Sequence, residues 1–193
     1  MTRKPRTDAE HNRRHIVAVA RAAFAADGLD LPMREIARRA GLGVATVYRH
    51  FPSRPDLIGA VLAEQVAHCV AEMRAALDDP DPWRALCATV RGFSERQLRD
   101  RGLNEVLLGS HAAALKFTEE RRAQERGLEL LVERARSAGA VRPDMSVEDV
   151  RVGLLAIASF RALPPGRADA AVRRLANLLL AGLSARERSP ASG

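Results

Sequence analysis

Apolar residues recur along the chain at steps of three and four, and no segment sustains an apolar–polar alternation. Ile16, Ala20, Ala23 and Phe24 fall on one face of a 3.6-residue period, which predicts a first helix from about Ala9 to Asp27, ending before Gly28. Two short helices follow, Met33–Ala40 and Val44–His50, joined by Gly41-Leu42-Gly43. Pro52 then bends the chain, and Ser53 is placed to cap the next helix. That helix, about Arg54–Leu77, carries the stripe Ile58, Leu62, Val66, Cys69, Met73 and Leu77. Asp81 and Pro82 open a fifth helix reaching about Asp100. Breaks are expected at Arg101-Gly102 and Gly109-Ser110, then a long charged helix ending at Gly139, interrupted near Lys116. Its inner stripe reads Gln124, Leu128, Leu131, Ala135 and Ala138. Ser146 with Asp149 has the spacing of a capping box, and Pro164-Pro165-Gly166 separates that helix from a last one ending near Leu183. The pattern predicts an all-α chain of about nine helices with a polar, disordered tail over 185–193.

Two helices carry more apolar surface than a stripe. Residues 150–160 are apolar on nearly every face, and the last helix shows Val172, Leu175, Ala176, Leu179 and Leu183 with Leu178 and Leu180 beside them. Two such helices joined by a tight turn suggest a subunit interface built from Val150, Leu154, Ile157, Val172, Leu175, Leu179 and Leu183. The alternative is that the same residues form a monomer's core.

Composition narrows the class. The 28% of charged residues and 4% of aromatics exclude collagen-like and disulfide-framework proteins and argue against a wholly disordered chain. Two cysteines, Cys69 and Cys87, and a basic start with no apolar stretch behind it favour a cytoplasmic protein without a secretory signal. No run of residues is apolar enough to span a bilayer. The net charge of +7 is unevenly spread: eleven of the 31 Lys and Arg but only six of the 24 Asp and Glu lie in the first sixty residues. A basic amino-terminal excess suits a segment that faces nucleic acid, although only Lys4 and Lys116 are lysines and the arginine bias can reflect coding composition.

The decisive stretch is residues 33–51, MREIARRAGLGVATVYRHF. Ile36, Ala37 and Ala40 give the first short helix a small apolar face, and Ala37 leaves room for a crossing helix. Gly41 can take the positive φ of a sharp turn, Leu42 plugs the corner, Val44 and Val47 anchor the second helix from beneath, and Phe51 fixes its end. Ala45, Thr46, Tyr48, Arg49 and His50 then face outward. This is the spacing of a helix-turn-helix whose second helix reads a major groove. From near Ile16 to about Leu62 the chain resembles the DNA-binding domain of TetR-family transcriptional repressors. The resemblance is carried by Phe24 and Gly28, Ile36-Ala37, Ala40-Gly41-Leu42, Thr46-Val47-Tyr48, His50-Phe51 and Ser53-Arg54 with Leu57. Beyond residue 80 the similarity lies only in helix pattern.

The resemblance implies that Thr46, Tyr48, His50 and Arg54 contact phosphates of double-stranded DNA, fixing register without reading sequence. Base readout is expected from Ala45 and Arg49, with Val44 and Arg34 as further candidates. An arginine fork fits guanine O6 and N7, and a small apolar group fits a thymine methyl. Where family members often carry Ser or Thr, this chain has Pro32, which removes one hydroxyl contact and leaves the amides of Met33 and Arg34 to meet a phosphate. Arg3, Lys4 and Arg6 form either a DNA-reaching arm or a plain soluble tail.

The resemblance further implies a homodimer on a palindromic operator. It places the DNA-binding domain at 1–56 and a ligand-binding and dimerisation domain at 57–184. A small, largely apolar effector would act through the Arg54–Leu77 helix. Candidate effector contacts are His68, Met73, Trp83, Phe93, His111 and Phe117. His68 and Cys69 point to different faces and have no third ligand at metal spacing, so neither a metal nor a cofactor is expected, and no nucleophile–base set suggests an enzyme. An effector-independent architectural protein and an activator of the same fold remain open alternatives.

Overall fold

The helical rhythm is realised as nine α-helices and one 3-10 helix among residues 4–109, 111–160 and 165–185, the residues that the computed structural model describes. They are α1 (Lys4–Asp27), α2 (Met33–Arg39), α3 (Val44–His50), α4 (Arg54–Asp78), α5 (Pro82–Arg99), α6 (Arg101–Leu107), the 3-10 helix (Ala112–Phe117), α7 (Thr118–Ser137), α8 (Val147–Ser159) and α9 (Pro165–Leu183). The expected bounds of α3 hold. Helix α1 starts five residues earlier than expected, since Pro5 sits in its first turn, where a missing N–H costs nothing. The expected break at Arg101-Gly102 is corrected: the interruption is Asp100, whose side chain accepts from Leu103 N and starts α6, leaving Gly102 inside the helix. The Ser146–Asp149 capping box forms as expected. Ser110, Pro164 and the tail beyond Ala185 lie outside the described residues.

The chain makes two compact units. The first holds the residues up to His68 together with Arg99–Arg121, and the second holds Cys69–Leu98 and the residues from Arg122 onward. The expected domains follow motif boundaries, whereas these units follow packing.

In the first unit Ile16, Ala20, Phe24, Ile36, Val47, Phe51, Leu57, Ile58 and Leu62 are almost fully buried. Helix α6 packs on α1, and the reason is visible at Gly102. A Cβ there would lie 3.0 Å from both the Phe24 carbonyl oxygen and the Leu29 Cδ2. The segment is tied down by Gln65 donating to Asp100 at 2.6 Å and by Lys116 bonding Asp56 at 2.7 Å.

The second unit is built around Leu86, Val90, Leu131, Ala135, Val150, Ile157, Val172 and Leu183. Arg134 reaches the carbonyls of Leu77 and Asp79 and so satisfies groups that the end of α4 leaves open. The stripe of α7 ends at Ala135. Ala138, expected inside, is exposed because it is the residue before the positive-φ Gly139, where Ala140 N bonds Ala135 O at 2.9 Å. A short bridge pairs Val141 with Ser184, with Arg142 N on Leu183 O and Ala185 N on Ala140 O, both at 2.9 Å.

Two glycines in helices should respond oppositely to a methyl group. Gly102→Ala pushes against backbone and is expected to destabilise by about 1–3 kcal/mol. Gly92→Ala meets nothing within 4 Å in the middle of α5 and is expected to stabilise by roughly 0.5–1 kcal/mol. Urea denaturation of the two variants at one protein concentration distinguishes the signs.

Candidate nucleic-acid interface

The reader is assembled around one turn. Helix α2 ends with Leu42 N on Ala37 O at 3.0 Å and Gly41 N on Arg38 O at 3.2 Å, with Gly41 at φ +64. This is a Schellman closure, and it needs the left-handed residue that the sequence placed there. His15 Nε2 lies 3.0 Å from the Ala40 carbonyl oxygen and links α1 to the same corner. Val47 is completely buried and Phe51 nearly so, with the Arg13 guanidinium 5.1 Å from the Phe51 ring centre. Val44 departs from expectation. At the first position of α3 it has no preceding turn to cover it and is 40% exposed, so Val47 alone seals the underside.

The opposite side of α3 is open. Tyr48 is 47% exposed, Ala45 and Arg49 are exposed, and Thr46 and His50 are half-buried. Arg34 is exposed at the start of α2, and Pro32 precedes it with no side-chain cap. Other cations nearby are engaged. Arg38 and Arg39 both bond Glu35, at 2.7–2.8 Å, and Arg39 also bonds Asp27 at 2.6 Å. These arginines hold the Glu35 carboxyl at about 2, well below the ordinary carboxylate range. Arg54, matched by resemblance to a phosphate contact, is turned inward instead. Its Nη2 donates to the Leu29 carbonyl and lies 3.5 Å from Asp30. Of the basic arm, Arg3 falls outside the described residues.

The expected effector residues divide between the two units. His68, His111 and Phe117 belong to the first unit, and Met73, Trp83 and Phe93 to the second. His68 is exposed and Phe117 is buried. His111 starts the 3-10 helix, its Nδ1 accepting from Ala113 N at 3.0 Å, with Nε2 3.4 Å from Asp30. Trp83 and Phe93 pack on the core of the second unit. Met73 alone of the six lines a cleft of about 380 Å³ within that unit. The rest of its wall was missed: the small residues Cys69, Ala75, Ala76, Ala85, Ala88, Thr89 and Gly92, the polar Gln124, and the charged Glu72, Asp79 and Arg96. A run of small side chains facing each other across two helices was the available signal, hidden by the abundance of alanine.

Of the expected interface residues, Val150, Leu154, Ile157, Val172 and Leu183 are at most 6% exposed and lie in the core of the single chain. Leu175 and Leu179 are half-buried, and Leu179 covers Gly153. Among the described residues of α8 and α9, the large apolar groups that face outward are Val152 (57%), Leu155 (52%) and Leu178 (56%). No group of three His, Cys, Asp or Glu able to hold a metal occurs among the described residues, and no helix there is long and apolar enough to cross a membrane.

An exposed second helix on a glycine-closed turn, backed by a third helix, defines a helix-turn-helix DNA-binding protein. Two family models match the chain. Residues 16–61 match the tetR family of bacterial regulatory proteins, and residues 81–185 match the SbtR-like transcriptional regulator C-terminal domain. The chain belongs to the TetR family of transcriptional regulators. A TetR transcription regulatory protein from Mycobacterium vanbaalenii is 33% identical, with 93% of this chain and 98% of that one covered at a TM-score of 0.56. The TetR transcriptional regulator SCO0520 from Streptomyces coelicolor is 31% identical, with 89% and 98% covered at a TM-score of 0.59. An HTH-type transcriptional regulator from Staphylococcus aureus is 32% identical over 75 residues, 38% of this chain and 40% of its own length. The chain thus matches under half the length of the curated relatives.

The Glu35 cluster gives α2 a dependence on pH. A carboxyl held below its unfolded value stabilises the fold above the unfolded pKa and loses that contribution as pH falls toward the folded one. The stability difference between wild type and Glu35→Gln should therefore be constant from pH 7 to about 5 and vanish as pH falls from about 4.5 to about 2. Denaturant titrations of both proteins across that range check it.

Proposed function

We propose that this regulator is a ligand-responsive repressor that binds a palindromic operator as a homodimer and is released by a small, largely apolar molecule. The observation that carries the DNA-reading half is the polarity of α3: Val47 is sealed beneath while Ala45, Tyr48 and Arg49 stand open above. Arg49 and Ala45 read base edges, with Val44 and Arg34 at the margin. Thr46, Tyr48 and His50 hold phosphates. The neutralised Arg38 and Arg39 contribute little, which concentrates the readable charge on Arg34 and Arg49.

The dimer is supported by Val152 and Leu155 on α8 and Leu178 on α9, an apolar surplus on two neighbouring helices that a second copy can cover as a four-helix arrangement. The effector reading is supported by the cleft around Met73, whose volume lies at the lower end of the range for small-molecule sites. Binding there favours the state that does not fit DNA, and α4 carries the change because it runs unbroken from Arg54 to Asp78. The protein acts in the cytoplasm, where its operator is.

Sequences selected from a random duplex pool should contain an inverted repeat. On such a site Arg49→Ala should relax one base preference per half-site and cost about 1–3 kcal/mol, whereas Tyr48→Phe should weaken all sites alike by about 1 kcal/mol. Anisotropy titrations on a panel of single-base variants separate the two, and equal weakening of every site by Arg49→Ala would refute its role in readout.

The interface is tested by charge. Leu155→Glu combined with Leu178→Glu should leave helicity intact and convert a dimer to a monomer in light scattering. Tight operator binding should be lost with it, because one reading head alone lacks the second half-site.

A further inference from the structure

We infer that Glu105 is a positioning residue for DNA binding: its carboxylate, reaching from α6, holds the corner between α1 and α2 and thereby sets where the reading helices stand. The inference rests on the DNA-binding reading above and adds a control point outside the helix-turn-helix itself. Glu105 is only 9% exposed. Its Oε2 accepts from the buried Leu29 N–H at 2.8 Å, and its Oε1 accepts from Arg101 Nε at 2.7 Å. The carbonyl of the same Leu29 accepts from Arg54. Both backbone polar groups of one corner residue are thus gripped by charged side chains that belong to neither α1 nor α2.

The surroundings are shaped for this grip. Gly28 sits at φ +86, and a Cβ on it would fall 2.7 Å from the Glu105 Oε1 and 2.5 Å from the Arg101 Nε. A side chain there would expel the carboxylate. Gly102 lets α6 come down on Phe24 and Leu29 from the other side. Leu29 is completely buried, so an apolar residue in place of Glu105 would fill space yet leave the Leu29 amide without an acceptor. Only three residues separate Leu29 from α2, and α2 carries α3 through the closed Gly41 turn. Movement at the corner therefore reaches the reading face with little slack. Glu105 also lies within the stretch matched by the C-terminal family model, so that stretch has a direct hold on the reader in addition to α4.

The test uses the full chain and a duplex selected by the wild type from a random pool. Wild type, Glu105→Gln, Glu105→Met and Arg101→Ala are compared by anisotropy titration, thermal melting and amide hydrogen exchange over residues 28–35. Glu105→Gln keeps an oxygen for the Leu29 N–H and should bind within about threefold of wild type. Glu105→Met fills the same space without an acceptor and should bind at least about tenfold more weakly, with faster exchange at Leu29 and a retained melting transition. Wild-type affinity or unchanged Leu29 exchange in Glu105→Met overturns the inference. If Glu105→Met does not fold, Arg101→Ala decides: it should speed Leu29 exchange and weaken binding about threefold, and no change in either overturns the inference. A wild type that binds no duplex at all overturns the DNA-binding reading instead, and the exchange comparison still decides whether Glu105 holds the corner.

Discussion

A seven-residue helix has no stability of its own in water, because two turns cannot repay the cost of nucleation. Helix α3 is of that length, and everything the protein does with DNA depends on its being held rigid from one side only. The hold is narrow: Val47 sealed beneath, Phe51 at the far end, and the Gly41 closure at the near end. This asymmetry leaves the outer face free of packing duties. Tyr48 and Arg49 are exposed because the inner contacts already suffice.

The layers behind α3 extend the same logic. Helix α2 is braced by charge on its surface through Glu35, Arg38, Arg39 and Asp27, and by apolar burial beneath through Ile36 and Ala37. Its N-terminal side depends on Leu29, whose amide and carbonyl are satisfied from α6 and α4. The reader is thus supported by residues from three separate stretches of chain. In the second unit the packing is more conventional, with Leu131, Val150, Ile157 and Leu183 fully enclosed. Met73 lies across Gly127 so closely that a Cβ there would be 2.4 Å from its Cγ. A flexible thioether over a glycine is a wall that can yield.

The helix-turn-helix was legible because its constraints are local. A positive φ at Gly41, a small residue at Ala37 and a buried Val47 are each dictated by neighbours within a dozen positions. The capping box at Ser146 was legible for the same reason. What the sequence hid was long-range. Nothing near Arg54 announces that its partner is the carbonyl of Leu29, twenty-five positions earlier. Nothing near Gly102 marks it as a close-packing residue rather than a helix end. A helix apolar all round gives no clue to which face its own chain covers. Ile157 proved to be inside and Leu155 outside, two positions apart. The alanine-lined cleft escaped because small residues signal a gap only when they face one another.

The first compact unit is not continuous along the chain: its helices up to His68 are completed by Arg99–Arg121. A ribosome adding about 5–20 residues per second makes the reader's own helices some seconds before it makes the partner of the Leu29 amide. In that interval the emerging helix-turn-helix lacks the acceptor of the Leu29 amide. A polypeptide truncated before residue 99 would carry the whole motif without the stretch that completes its compact unit.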